Sequence, residues 1–207
     1  MIDVITGRQG QGKTSLAYHL AKREHVGVFV FDPTEAFSIG TLVYSAAELI
    51  AAGENSAPSP IVFVATGNLE KEISEFCLAV MNFRGVSVIV DEAALVSSPA
   101  YIPEDLDRLV RRSRRLEHAL YLTAHRPQDL HGLFFSLAHF YQFFHTTNFN
   151  DVKKIRERTN DALAERVETL PPHVYAQWSV ATNDFFVNSD PRSWKVELDP
   201  KNSKREV

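Results

Sequence analysis

The sequence predicts an α/β fold built on a mainly parallel central sheet flanked by helices, and three observations carry that expectation. Apolar, β-branched runs alternate with stretches of helical period, the pattern of strands joined by crossover helices. The first such run leads directly into Gly7-Arg8-Gln9-Gly10-Gln11-Gly12-Lys13-Thr14, which fits the pattern G-x-x-x-x-G-K-S/T in full and opens an amphipathic stretch. The chain has 207 residues, 44% hydrophobic and 11% aromatic, enough to bury one core of ordinary size.

Residues 2–6 form the first expected strand, and the glycine-rich loop follows it. Triphosphate oxygens need several backbone N–H donors at once, and glycines let the main chain curl closely enough to aim them inward. Gly7, Arg8, Gln9, Gly10, Gln11, Gly12, Lys13, Thr14 and Ser15 are therefore the expected nucleotide-binding stretch, which makes ATP the expected cofactor. Lys13 offers a point charge to the β- and γ-phosphates, and Thr14 a hydroxyl to Mg²⁺. A helix expected from 13 to about 23 adds its positive N-terminal end to the same anion site.

The second strand, 28–31, runs into Asp32-Pro33-Thr34-Glu35, which either ends the strand with a capped turn or shapes the site and a neighbour's contact. A helix near 46–52 precedes a loop over 53–60 that holds Asn55, Ser56, Pro58 and Ser59. After a strand at 61–65 comes a helix over about 69–83, where Ile73, Phe76, Val80 and Met81 recur at helical spacing and make Cys77 a core thiol. The strand at 86–90 ends in two adjacent carboxylates, the form of a Walker B element. Successive strand positions face opposite ways, so Asp91 is assigned to the metal and Glu92 to polarising water.

A helix over 103–116 carries Arg108, Arg111, Arg112, Arg114 and Arg115, with Leu106, Leu109, Val110 and Leu116 as its buried stripe. Arg112 and Arg114 flank that stripe at an interface rim, where either could complete a neighbouring subunit's site; the alternative is a solvated basic face paired with acids. The fifth strand, 119–123, ends in Ala124-His125-Arg126-Pro127, and Thr123 and His125 are candidates to sense the γ-phosphate. Further along, 140–145 is another strand, 152–167 a charged helical region, and Leu170, Pro171 and Pro172 a break. Residues 174–180 and 185–188 form a C-terminal β-hairpin joined around Asn183 and Asp184. One ATPase domain is expected over 1–188, with an exposed tail over 189–207.

A single cysteine excludes an internal disulfide framework and a paired-cysteine zinc site, which suits a reducing compartment. No window approaches the roughly 18 apolar residues of a membrane span, so a soluble protein with no intrinsic membrane span is expected. A net charge of −4 argues against a globally basic nucleic-acid coat, while leaving room for a local basic stripe.

Together the phosphate loop, Asp32 to Glu35, Asp91-Glu92 and Ala124 to Pro127 resemble the FtsK–HerA superfamily of P-loop motors, most of all the small genome-packaging ATPases of viruses with an internal membrane. The resemblance spans most of residues 1–188. Family members commonly carry a T-Q-R-P sequence after the fifth strand and a G-R pair upstream. Arg114 falls at the upstream arginine, and His125 replaces the usual glutamine. The resemblance implies a RecA-like core, Mg²⁺ and ATP, catalytic roles for Lys13, Glu92, Arg114 and His125, and metal contacts from Thr14 and Asp91. It also implies a homo-oligomeric ring, commonly hexameric, that moves double-stranded DNA at a capsid vertex or portal, in the host cytoplasm or on the virion.

Two other readings compete. Nucleoside and nucleotide kinases share this chain length and the P-loop, and thymidine kinases carry an Asp-Glu pair after a strand; their cysteine-bound zinc lobe has no counterpart here. Zonula-occludens-toxin-like phage assembly ATPases share the motor core, and a member acting at a membrane carries a spanning segment.

Overall fold

The computed structural model describes residues 1–188; the expected tail over 189–207 lies outside the described residues. From the N-terminus, β1 (Ile2–Thr6) leads into α1 (Lys13–Glu24), followed by β2 (Val28–Asp32), β3 (Thr41–Val43), α2 (Ala46–Glu54), β4 (Ile61–Val64) and α3 (Leu69–Val80). Next come β5 (Ser87–Val90), α4 (Glu104–Leu116), β6 (Ala119–Ala124), α5 (Gly132–Leu137) and β7 (Phe140–Phe144). The described chain finishes with α6 (Phe149–Arg158), α7 (Asp161–Val167), β8 (Tyr175–Ser179) and β9 (Asp184–Val187). Short 3-10 turns follow β5 and β6, at Ala93–Leu95 and Pro127–Asp129.

The strands make one sheet in the order β3-β4-β2-β5-β6-β1-β7-β8-β9. Every pair from β3 to β7 is parallel, and the hairpin β8–β9 adds to the β7 edge antiparallel. Parallel strands are covered on both faces, which explains why β1, β2, β4, β5 and β6 are buried along their whole length. One face holds α1, whose Leu16, Ala17, Tyr18 and Ala21 pack on Ile5, Val30, Val64, Ile89 and Tyr121. The opposite face is packed by Leu49 of α2, Phe76 of α3, Leu109 of α4, Phe135 of α5, Ile155 of α6 and Leu163 of α7.

The five sequence-expected strands and the terminal hairpin are all present. Two elements were not expected. β3 has only three residues, too few to show an alternating pattern, and α5 has six, too few to show a helical period. The charged region expected as one helix over 152–167 is two helices. Thr159 leaves helical geometry at φ −133, ψ −108, and the Asn160 side chain caps α7 by accepting from the Leu163 N–H at 2.9 Å.

Asp32 takes the capping role left open above: its carboxylate accepts from the backbone N–H groups of Thr34, Ala36 and Phe37. Cys77 is fully buried and burial pushes its thiol up, so it packs as an apolar side chain. Phe134, Phe135, Phe143 and Phe144 are likewise buried core aromatics.

Candidate active site

The parallel strands present their carboxyl ends along one edge, and the loops there gather the sequence-predicted residues except Arg114. At this edge β1 gives way to the phosphate loop. Gly12, the N-cap of α1, has φ 95 and ψ 21, a left-handed conformation that a side chain disfavours. Gly7 is required for a different reason: a Cβ there would lie 2.5 Å from the Cβ of Phe144 in β7. The loop is held on two sides, by Arg8 donating to Thr147 Oγ1 at 2.9 Å and by the His173 N–H donating to Gln11 Oε1 at 3.4 Å.

Lys13 is 5% exposed and its ammonium points back over the loop. Its Nζ lies 3.4 Å from the Arg8 carbonyl, 3.4 Å from Glu92 Oε1 and 3.3 Å from His125 Nδ1. An ammonium only donates, so Nδ1 of His125 accepts and Nε2 carries the proton. That proton faces Glu92 Oε1 at 3.3 Å, so His125 bridges the lysine and the carboxylate.

Asp91 is buried at the exit of β5, with Oδ1 accepting from Thr14 Oγ1 at 2.9 Å and from Thr123 Oγ1 at 2.7 Å. The Thr123 hydroxyl in turn accepts the Glu92 N–H at 2.9 Å, so one side chain of β6 orients both acidic residues. Burial pushes the Asp91 carboxyl up to about 6, against the two hydroxyl hydrogen bonds that lower it. The hydroxyl and the carboxylate form a hard oxygen donor set at the mouth of the loop. That set fits Mg²⁺, which takes one or two protein oxygens and fills its octahedron with phosphate oxygens and water.

Strand alternation does not place Glu92. The residue sits in a left-handed conformation, φ 46 and ψ 51, as the chain leaves β5 for the 3-10 turn. This reversal brings Glu92 to the same side as Asp91, where alternation would have sent it to the opposite face. Thr123 is fully buried behind Asp91, where it holds the Asp91 carboxylate and the Glu92 backbone N–H.

Arg112 and Arg114 are exposed and make no ion pair among the described residues, whereas Arg108 pairs with Glu104 and Asp105, and Arg111 with Asp107. Ser113 completes the buried stripe of α4 between them, its hydroxyl satisfied by the Val110 carbonyl, while Leu116 is only half-buried. Arg114 stands in the last turn of α4, just before β6 begins, and its charge acts on His139 at the start of β7. It therefore lies at the amino-terminal edge of the sheet, separated from its own phosphate loop by the length of a five-residue strand, about 17 Å. Three of the four basic residues of α6 are engaged, Lys154 with Glu157, Arg156 with Asp161, and Arg158 over the Phe135 ring, while Lys153 is exposed and makes no ion pair among the described residues.

Arg126, Asn148 and Asp151 were missing from the sequence-based site. With Arg8, Gln9 and His125 they line a cavity of about 270 Å³ beside the loop.

The fold and this loop geometry are those of a RecA-like P-loop NTPase core, with an antiparallel C-terminal hairpin added. Among solved structures, the chain is similar to the genome packaging NTPase B204 from Sulfolobus turreted icosahedral virus 2 in complex with AMPPCP, at TM-score 0.75 and 19% identity, covering 91% of this chain and 96% of that one. It is also similar to VirB4 of Thermoanaerobacter pseudethanolicus, at TM-score 0.61 and 11% identity over 98% and 90% of the two chains. The N-terminal domain of zonular occludens toxin from Neisseria meningitidis follows at TM-score 0.51 and 15% identity, over 97% and 95%. No protein-family model matches the chain, and no curated protein sequence matches it. At these identities the likeness establishes a shared fold, the one expected from the FtsK–HerA resemblance.

Proposed function

We propose that this chain is a viral genome-packaging ATPase that couples ATP hydrolysis to translocation of double-stranded DNA into a capsid. The observation that carries this is the closed contact network Lys13–His125–Glu92 beside Thr14–Asp91–Thr123, set on a core shared with a genome packaging NTPase. In this reading residues 1–188 are the ATPase domain, and the protein works as a homo-oligomeric ring, hexameric as is common for such motors. Capsid vertex or portal proteins are its partners, in the host cytoplasm or at the packaging vertex.

The chemistry follows from the distances. The N–H groups of Gly7 to Ser15 cradle the phosphates, and Lys13 turns from Glu92 toward the β- and γ-phosphates. Bound Mg²⁺, held by Thr14 and Asp91, would neutralise charge on the phosphate oxygens. Loss of the lysine contact frees Glu92 Oε1 to polarise the attacking water. His125 stays bonded to that carboxylate and senses whether the terminal phosphate is in place. Arg114 cannot reach its own site, which suits a finger that acts on a neighbouring subunit's nucleotide.

An ATPase assay of the purified protein with and without double-stranded DNA tests this reading. Turnover stimulated by DNA is expected. Turnover indifferent to DNA, together with phosphoryl transfer to an added nucleoside, would replace it with the kinase reading. The likeness to zonular occludens toxin favours a second motor reading, in phage assembly. Activity that appears only with a membrane-bound partner would select it.

A further inference from the structure

The cavity beside the phosphate loop contains a charge that the mechanism above does not use. Asp151, in the first turn of α6, is 3% exposed; its Oδ2 accepts from Thr146 Oγ1 at 3.2 Å, while Oδ1 is buried without a hydrogen-bond partner. A buried carboxylate oxygen left unpaired is costly, and its neighbours explain what offsets the cost. Two guanidinium groups share the cavity wall with it, those of Arg126 and Arg8, and both act on its charge through space.

The two arginines differ in freedom. Arg8 is committed to Thr147. Arg126 is exposed and makes no ion pair among the described residues. Its backbone is fixed: φ −134 and ψ 136 is the extended geometry imposed before a proline, and Pro127 is buried at the start of its 3-10 turn. The preceding residue, His125, touches both Lys13 and Glu92. The side chain of Arg126 thus springs from a fixed backbone into the wall of a cavity shared with Arg8 and Gln9 of the phosphate loop and with Asp151.

We propose that Arg126 reads the terminal phosphate of a nucleotide bound to its own subunit, and that Asp151 competes with that phosphate for the same guanidinium. The proposal rests on the phosphate-loop reading above. A terminal phosphate offers three charged oxygens and a guanidinium binds two of them at once, a contact that ADP lacks at this position. Arg126 is therefore a residue for telling ATP from ADP. Movement of its guanidinium toward the phosphate would also change the charge that Asp151 feels in the first turn of α6, a helix that packs on the 3-10 turn following Arg126.

Calorimetric titration with the non-hydrolysable analogue AMPPCP and with ADP tests the proposal on wild type, Arg126→Ala, Arg126→Lys, Asp151→Asn and the Arg126→Ala/Asp151→Asn double variant. Arg126→Ala is expected to weaken AMPPCP about 10- to 100-fold, the worth of a charge-assisted contact, with ADP little changed. Arg126→Lys restores part of the loss. Asp151→Asn tightens AMPPCP about 2- to 5-fold by removing the competitor, and the double variant matches Arg126→Ala alone. Equal loss of both nucleotides in Arg126→Ala, or weaker AMPPCP binding in Asp151→Asn, would make the two residues a structural brace and overturn the proposal. If wild type binds neither nucleotide, and Lys13→Ala changes nothing, the phosphate-loop reading fails and takes this proposal with it.

Discussion

Glu92 holds a left-handed backbone conformation that costs a non-glycine residue about 1–3 kcal/mol, and it does so next to the phosphate loop. Strain of this kind persists where surroundings over-determine it; here the Glu92 N–H is tied to Thr123 and its carboxylate to Lys13 and His125. Glu92→Gln keeps the shape and removes the carboxylate that the proposed mechanism uses to polarise water. It is expected to bind AMPPCP with near wild-type affinity while turnover falls about 10²- to 10⁴-fold, measurable by titration and by phosphate release. The sequence-nominated residues that the structure brings together, Lys13, Thr14, Asp91, Glu92 and His125, are those that stand in contiguous motifs. Strand alternation misjudged how Glu92 reaches the site, because the turn after β5 reverses its direction. Arg126 and Asp151 were not legible as a pair: 25 residues separate them, and only the adjacency of the β6 exit and the start of α6 brings them to one cavity.

At the scale of elements, the strands were legible because burial on both faces makes them continuous apolar runs, and α1 because its loop motif fixes where it starts. The break between α6 and α7 had a cue, Asn160-Asp161, that the surrounding run of charges obscured. That cap has a measurable value. Asn160→Ala removes the acceptor for the Leu163 N–H and is expected to lower stability by about 1 kcal/mol in urea unfolding, leaving nucleotide affinity unchanged. β3 and α5 have no such cue. Their residues take these conformations because β4 and the sheet face beneath offer partners, a tertiary effect absent from a short window of sequence.

For the molecule as a whole, a polar row crosses the sheet on the α1 side, where Gln142 Nε2 donates to Asp3 Oδ2 at 2.9 Å. Burial pushes the Asp3 carboxyl up to about 7, so folding favours its protonated form. Its stabilising contribution is full below the ordinary carboxylate value, near 3.8, and is lost as pH rises through about 7. Asp3→Asn is expected to match wild type near pH 4 and to be more stable at pH 8, by up to about 4 kcal/mol, in urea unfolding across that range. Arg114 supports a prediction about assembly: Arg114→Ala mixed into wild type should depress DNA-stimulated turnover by more than simple dilution. A strictly proportional decline would remove it from the finger role. The placement of this arginine has a geometric corollary. The phosphate loop and Arg114 lie on opposite rims of one sheet, so a copy that brings its Arg114 to a neighbour's phosphate loop must be either turned over or displaced along the strands relative to that neighbour. The turned-over arrangement completes both loops of a pair; the displaced, head-to-tail one would leave one loop unserved at the end of any open stack until repetition of the same rotation closed a circle.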